Sequence, residues 1–309
     1  MMKKISSKVI YIIILIAIII GIISVITSVY NNKKIDDNKL QITTTIFPYY
    51  SIADEICSAE SNIVMLIKPG SESHTYEPTP EDIISIKNSD VFIYTGGESD
   101  KWVETIISSI DTHKTKIIKV MDYIEPVQTA RYGNISYDEH VWTSLNNTCI
   151  ISKKICDFVC EINPELKDEY VYNTELFIKE LNDLDAQFKK AIENSNKTVV
   201  FADRFPFLYF AKDYNLNYVS AFENCSEEAE PSIQNITKII NTIKQQNIKN
   251  VFYIEFSNQK IADSICEETG SSKLLFHSCH NISQDDFNNG VSYLSLMKNN
   301  LKNLKEALK

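Results

Sequence analysis

The chain has no Cys-x-x-Cys pair among its seven cysteines, which removes a structural zinc knuckle and a thioredoxin-like redox site. It also lacks a His-Glu-x-x-His helix, a Gly-x-Ser-x-Gly elbow and a Walker-type phosphate loop, so metalloprotease, α/β-hydrolase and P-loop chemistries have no sequence support. Gly96-Gly97 is too short for a dinucleotide fingerprint. Basic charge is scarce: 31 Lys and Arg face 41 Asp and Glu, for a net charge of −10. Residues 1–34 hold five of the basic residues and no acidic ones, which leaves 26 against 41 beyond them, a net −15. A surface that acidic repels nucleic-acid phosphates, and no basic stripe offsets it; no nucleic-acid partner is expected. Histidine is scarce too, with only five in 309 residues.

Long apolar runs occur once. Lys3, Lys4 and Lys8 precede an uncharged stretch from Val9 to Val29, about the 20 residues a helix needs to cross a bilayer core. The flanking lysines favour a cytoplasmic N-terminus, so residues 1–30 are expected to anchor an extracytoplasmic chain. Export after signal cleavage is the competing reading. No Ala-x-Ala stands there, and no cysteine follows closely enough for a lipoprotein acyl anchor. An odd number of cysteines in an exported monomer leaves one thiol unpaired, and a monomer is expected. Cys156 and Cys160 share a helix face, whereas Cys225 and Cys279 lie in loops of one half and could pair.

Beyond a polar linker at 31–40, short apolar runs alternate with helical segments. Strands are expected at 42–46, 63–67, 91–94 and 117–120, and again at 199–201, 218–221, 251–254 and 274–276. Such a rhythm predicts parallel sheets flanked by helices. Between the halves, Pro164 opens a helix whose apolar stripe Phe177, Leu181, Leu184, Phe188 and Ala191 steps by 4, 3, 4 and 3, and Asn194-Ser195-Asn196 closes it. The fold class is therefore α/β: two lobes, each a mainly parallel four-stranded sheet, at 41–163 and 196–309, joined by one long helix at 164–195.

The histidines fall where such a fold binds ligands, beyond the carboxyl ends of strands. His74 sits in Gly70-Ser71-Glu72-Ser73-His74-Thr75-Tyr76-Glu77-Pro78-Thr79-Pro80, where Thr79 and Pro80 read as a helix start. His140 occurs in Tyr137-Asp138-Glu139-His140-Val141-Trp142, with acidic neighbours able to take the hydrogen bond of its other ring nitrogen. His277 directly follows a strand, and His280 lies three residues on as a possible chelating partner. His113, in a polar stretch, reads as a solvated helix end. Asp203 follows the first strand of the second half and is either a ligand or an ion-pair partner of Arg204. Imidazoles converging from distant segments make nitrogen-rich sites for borderline transition metals.

The Gly70–Pro80 loop resembles the first metal-histidine motif of the zinc- and manganese-type solute-binding proteins of ABC transporters. Asp138-Glu139-His140-Val141-Trp142 is similar to their second, with Glu139 where Pro is usual. The resemblance runs from about Gln41 to Lys309 and includes Thr43-Thr44-Thr45-Ile46-Phe47-Pro48, the long helix and Tyr293-Leu294-Ser295-Leu296-Met297. It implies a metal held between two lobes, with two ligands from each. His74 and His140 match the first lobe. The place usually held by Asp after the last strand falls on His277. The place usually held by His or Glu falls on Arg204, a departure that Asp203 or a water would have to fill.

The expected ligand set is thus His74, His140, His277 and Asp203. Three imidazoles favour Zn²⁺, with Mn²⁺ the alternative; the segment from Glu125 to Tyr137 lacks the histidines that zinc-specific relatives often carry there. The implied function is a non-enzymatic receptor that hands a divalent metal to an ABC permease. A zinc hydrolase using Glu139 or Glu77 as base, and a surface adhesin on the same fold, are the other readings.

Overall fold

Short β-branched runs build the first sheet: β1 (Leu40–Thr44), β2 (Ser61–Met65), β3 (Val91–Tyr94) and β4 (Lys116–Lys119). All pair in parallel, in the order β2-β1-β3-β4. Central β3 is buried at every position, because helices cover both faces of the sheet. Those helices are α1 (Phe47–Cys57), α2 (Pro80–Asn88) and α3 (Lys101–Ile107). The computed structural model describes residues 38–109, 114–131, 134–193, 195–222 and 231–309. Among them no helix is long and apolar enough to cross a membrane, and the expected anchor at 1–30 lies outside the described residues.

An antiparallel pair, β5 (Gln128–Arg131) and β6 (Asn134–Tyr137), comes next and was not apparent from the sequence. Two helices follow, α4 (Leu145–Ile162) and α5 (Lys167–Glu193). A 3₁₀ turn at Pro164–Leu166 leads into α5, so the helical stretch begins at the expected proline. Its buried side chains include Phe177, Leu181, Leu184 and Phe188, the stripe predicted by the 4-3-4 spacing.

The second sheet repeats the first. β7 (Val199–Phe201), β8 (Tyr218–Ser220), β9 (Asn250–Tyr253) and β10 (Ser272–Leu275) pair in parallel in the order β10-β9-β7-β8. Around it lie α6 (Leu208–Tyr214), α7 (Ile233–Gln246), α8 (Lys260–Thr269), α9 (Gln284–Asn288) and α10 (Tyr293–Ala307). Strand ends differ from the sequence expectation by one or two residues. The two halves are one α/β architecture with a long helix between sheets.

One hydrophobic cluster spans both halves. It runs from Ile42 and Phe47 through Trp142 to Leu181, Leu184 and Phe188 on α5, and on to Phe201, Phe252 and Phe276. Polar clasps join the halves at the carboxyl ends of the strands. Asn281 Nδ2 donates to the carbonyls of Lys68 and Ser71 at 2.9 and 2.7 Å, and the Gly70 amide donates to Ile282 O at 2.8 Å. Gly70 sits at φ +80°, a conformation other residues adopt only with strain.

Candidate metal centre

The loop after β2 delivers His74, and its far end is fixed by the start of α2. Thr79 caps that helix: its Oγ1 accepts from the Asp82 amide at 3.3 Å, while Asp82 Oδ2 takes the Thr79 amide at 2.7 Å. Tyr76 OH donates to the same Oδ2 at 2.5 Å, tying the loop to the cap. His140 ends the segment after β6, just before a 3₁₀ turn at Val141–Thr143. His280 lies beyond β10, after a backbone reversal at Cys279, where φ is +61°.

These three imidazoles meet. One ring nitrogen from each of His74, His140 and His280 lies within 4.8 Å of the others. Their ring centroids are 5.8 Å apart for His74–His140, 5.1 Å for His74–His280 and 5.5 Å for His140–His280. Among the described residues, this is the one group of three or more His, Cys, Asp or Glu side chains close enough to share an ion.

Hydrogen bonding sets which nitrogen of each ring carries the proton. Ser99 Oγ has a single proton, and it goes to Glu139 Oε1 at 2.5 Å. The same Oγ, 2.8 Å from His74 Nδ1, must therefore accept, which puts the ring proton on Nδ1 and the lone pair on Nε2. His140 Nδ1 lies 3.3 Å from Asp138 Oδ2, which likewise calls for a proton on Nδ1. Nε2 of His74 and Nε2 of His140 are both buried. His280 Nδ1 lies 3.2 Å from Ser73 Oγ. Each ring thus has a polar partner at Nδ1, the arrangement that orients histidines toward a metal at Nε2.

The charges agree with that assignment. Burial alone would raise the Glu139 carboxyl, but hydrogen bonds from His74 and from the Ser99 hydroxyl and amide hold it well below the usual carboxylate range. Burial, reinforced by His74, His140 and Arg204 against the pull of Glu139, holds His280 well below the ordinary histidine range. It therefore stays neutral and able to ligate. Trp142 covers the rings: its centroid is 5.4 Å from His140 and 4.8 Å from His280, and its Nε1 donates to Ser278 O at 2.9 Å.

Residues 42–307 match the family described as "ZnuA: Zinc-uptake complex component A periplasmic". The chain belongs to the ZnuA family. It is 27% identical over 288 residues to the zinc-binding lipoprotein AdcA of Streptococcus pneumoniae (strain ATCC BAA-255 / R6), covering 90% of this chain and 57% of AdcA. The chain thus spans little more than half the length of that relative. The high-affinity zinc uptake system protein ZnuA of Bacillus subtilis (strain 168) is 26% identical over 285 residues, 88% of either chain. A crystal structure of the Zn(II)-bound ZnuA-like domain of Streptococcus pneumoniae AdcA superposes with a TM-score of 0.73 at 27% identity, over 87% of this chain and 99% of that one.

Two residues expected as ligands of this ZnuA-family site stand elsewhere. His277 is buried, but its Nδ1 accepts from the Cys279 amide at 2.9 Å, which puts the ring proton on Nε2. Neither nitrogen then offers a lone pair to an ion. Its backbone is pinned by Asn300, which takes the His277 amide at 2.7 Å and donates to its carbonyl at 2.8 Å. Asp203 is turned to backbone as well: Oδ1 accepts from the Arg204 amide at 2.8 Å and Oδ2 from the Ile254 amide at 3.2 Å. The third imidazole is His280 instead, reached only after the Cys279 reversal. Sequence reasoning also missed Ser73 and Ser99, whose roles depend on contacts across 207 and 40 residues of chain. His113 and Cys225 lie outside the described residues, and Cys279 is a buried free thiol.

Proposed function

We propose that this chain is an extracytoplasmic receptor that captures a single Zn²⁺ for an ABC permease, with His74, His140 and His280 as ligands. The observation that carries this reading is the convergence of three imidazoles from distant segments, with one ring nitrogen each of His74, His140 and His280 within 4.8 Å of the others. A donor set of three imidazoles favours zinc over manganese, which prefers carboxylate oxygen. The zinc-binding names of the relatives above point the same way. The apolar run from Val9 to Val29 would hold the receptor, a monomer, at the outer face of the membrane.

Capture fits the site better than hydrolysis. A hydrolase needs a carboxylate aimed at metal-bound water. Glu139 instead spends Oε1 on the Ser99 hydroxyl and Oε2 on the Ser99 amide, at 2.5 and 2.9 Å, and lies 3.4 Å from His74 Nδ1. It orients a ligand. Calorimetric titration of the full chain with Zn²⁺ should show one ion bound per chain, lost in the His74→Ala, His140→Ala double variant. Unchanged affinity in that variant would rule out the site.

A further inference from the structure

Free thiols gather where α1, α4 and the start of α5 meet, about 18 Å along α4 from its Ser144 cap and away from the histidine cluster. Cys156 and Cys160 stand one turn apart on α4, with their Sγ atoms 3.8 Å from each other. Cys156 is 7% exposed, whereas Cys160 is half-buried at the helix end, its Sγ 3.9 Å from Lys167 O. Cys57 is fully buried at the end of α1, and burial, then the nearness of Cys156 and Cys160, pushes its thiol up.

A disulfide does not suit the α4 pair. Side chains at i and i+4 keep their Cβ atoms about 5–6 Å apart, whereas a disulfide needs roughly 3.5–4.5 Å. A larger atom bonded to both sulfurs escapes that limit. With bonds of about 2.3 Å, the zinc–thiolate length, it would hold sulfurs 3.8 Å apart at an angle of about 110°. That angle fits a pyramidal or tetrahedral centre rather than a linear one. Tetrahedral zinc takes four ligands, and among the described residues the three histidines are the one group of three or more able to share an ion. Cys57 therefore adds no third bond, and the centre must bring its remaining substituent with it. Burial, with Cys156 alongside, pushes the Cys160 thiol up to about 11, so Cys160 meets a ligand protonated. A bare cation would have to expel that proton into water, whereas an oxygen on the ligand can carry it away.

From this geometry we propose that Cys156 and Cys160 form a dithiol site for trivalent arsenic compounds that carry one group of their own. With an arsenoxide R–As=O, two As–S bonds form, the As–O bond breaks, and both thiol protons leave on that oxygen as water. Arsenic stays trivalent, so the step needs neither oxidant nor reductant. Cys160 gives the approach from solvent, and Cys156 closes the ring behind it.

Phenylarsine oxide tests the site on the full chain, in excess 2-mercaptoethanol, which strips arsenic from single thiols but not from a chelating pair. Intact-mass measurement should find one phenylarsenic group per chain, removed by excess 2,3-dimercaptopropanol. Cys160→Ser and Cys156→Ser should each lose it completely. Melting temperatures report whether each variant folds, and the half-buried Cys160 carries the test if Cys156→Ser does not. Cys57→Ala, Cys149→Ser and Cys266→Ser should keep the group. No adduct on the parent, an adduct that survives Cys160→Ser, or its loss from a folded chain of the other three variants overturns the site.

Discussion

His277 and His280 are three residues apart, and what separates them is the location of one proton. The Cys279 amide donates to His277 Nδ1, so that ring turns its lone pair into the backbone. His280 Nδ1 faces Ser73, and its ring joins His74 and His140. His280→Ala should therefore weaken Zn²⁺ binding more than about 100-fold, beyond the 10–100-fold typical of losing an outer hydrogen-bond partner. His277→Ala should leave the Zn²⁺ dissociation constant within a few-fold and instead cost roughly 1–3 kcal/mol of stability, because it leaves the Cys279 amide buried without its acceptor. Parallel calorimetric and denaturant titrations check both. A sequence shows that His-x-x-His lies past a strand, but not which member the reversal at Cys279 aims at the site. The hydrogen-bond partners of that loop come from Asn300 and Ser73, far away in the chain.

Protonation gives a second residue-scale prediction. His280 has its folded pKa depressed, so between that value and the ordinary value near 6.5 the unfolded chain takes up a proton that the folded chain refuses. The stability of the metal-free protein should fall as pH drops below 6.5, by up to ~1.4 kcal/mol per pH unit from this group. Asp100, pushed up to about 6 by burial, works the other way between pH 6 and its ordinary value near 3.8. A difference measurement separates them: the stability of the parent minus that of His280→Gln should shrink as pH falls from 6.5. Parallel curves would contradict the buried neutral imidazole.

At the scale of elements, the turn after β3 sets the distance between Ser99 and Glu139. Gly97 opens a 3₁₀ turn at Glu98–Asp100, and a Cβ there would lie 2.3 Å from Glu139 Oε2 and 2.4 Å from Glu139 Cβ. Swinging the carboxylate away would relieve the first contact but not the second, because Glu139 Cβ is fixed by its backbone. Gly97→Ala should cost about 1–3 kcal/mol by overpacking and weaken Zn²⁺ binding roughly 10–100-fold through the displaced Glu139. Thermal melts with and without zinc measure both effects. The elements themselves were largely legible: the eight sheet strands follow apolar runs, and the α5 stripe follows its spacing. The β5–β6 pair was not, because its segment shows no clean alternation of apolar and polar residues. Gly96-Gly97 read only as a failed nucleotide motif, since the close approach of Glu139 comes from about 40 residues away.

At the scale of the whole molecule, two similar α/β halves share one core and place their strand ends around one small cluster of rings. The halves were readable because both repeat the same strand rhythm. Where they close on each other was readable only in part: His74 and His140 announce themselves, whereas the Asn281 clasp and the Trp142 cover depend on packing between distant segments. The most direct test of the account is anomalous diffraction at the zinc absorption edge from crystals of the zinc-loaded protein. The predicted result is a single strong peak about 2.0–2.1 Å from Nε2 of His74, His140 and His280. A peak bound to His277 or Asp203, or none among these three rings, would contradict it.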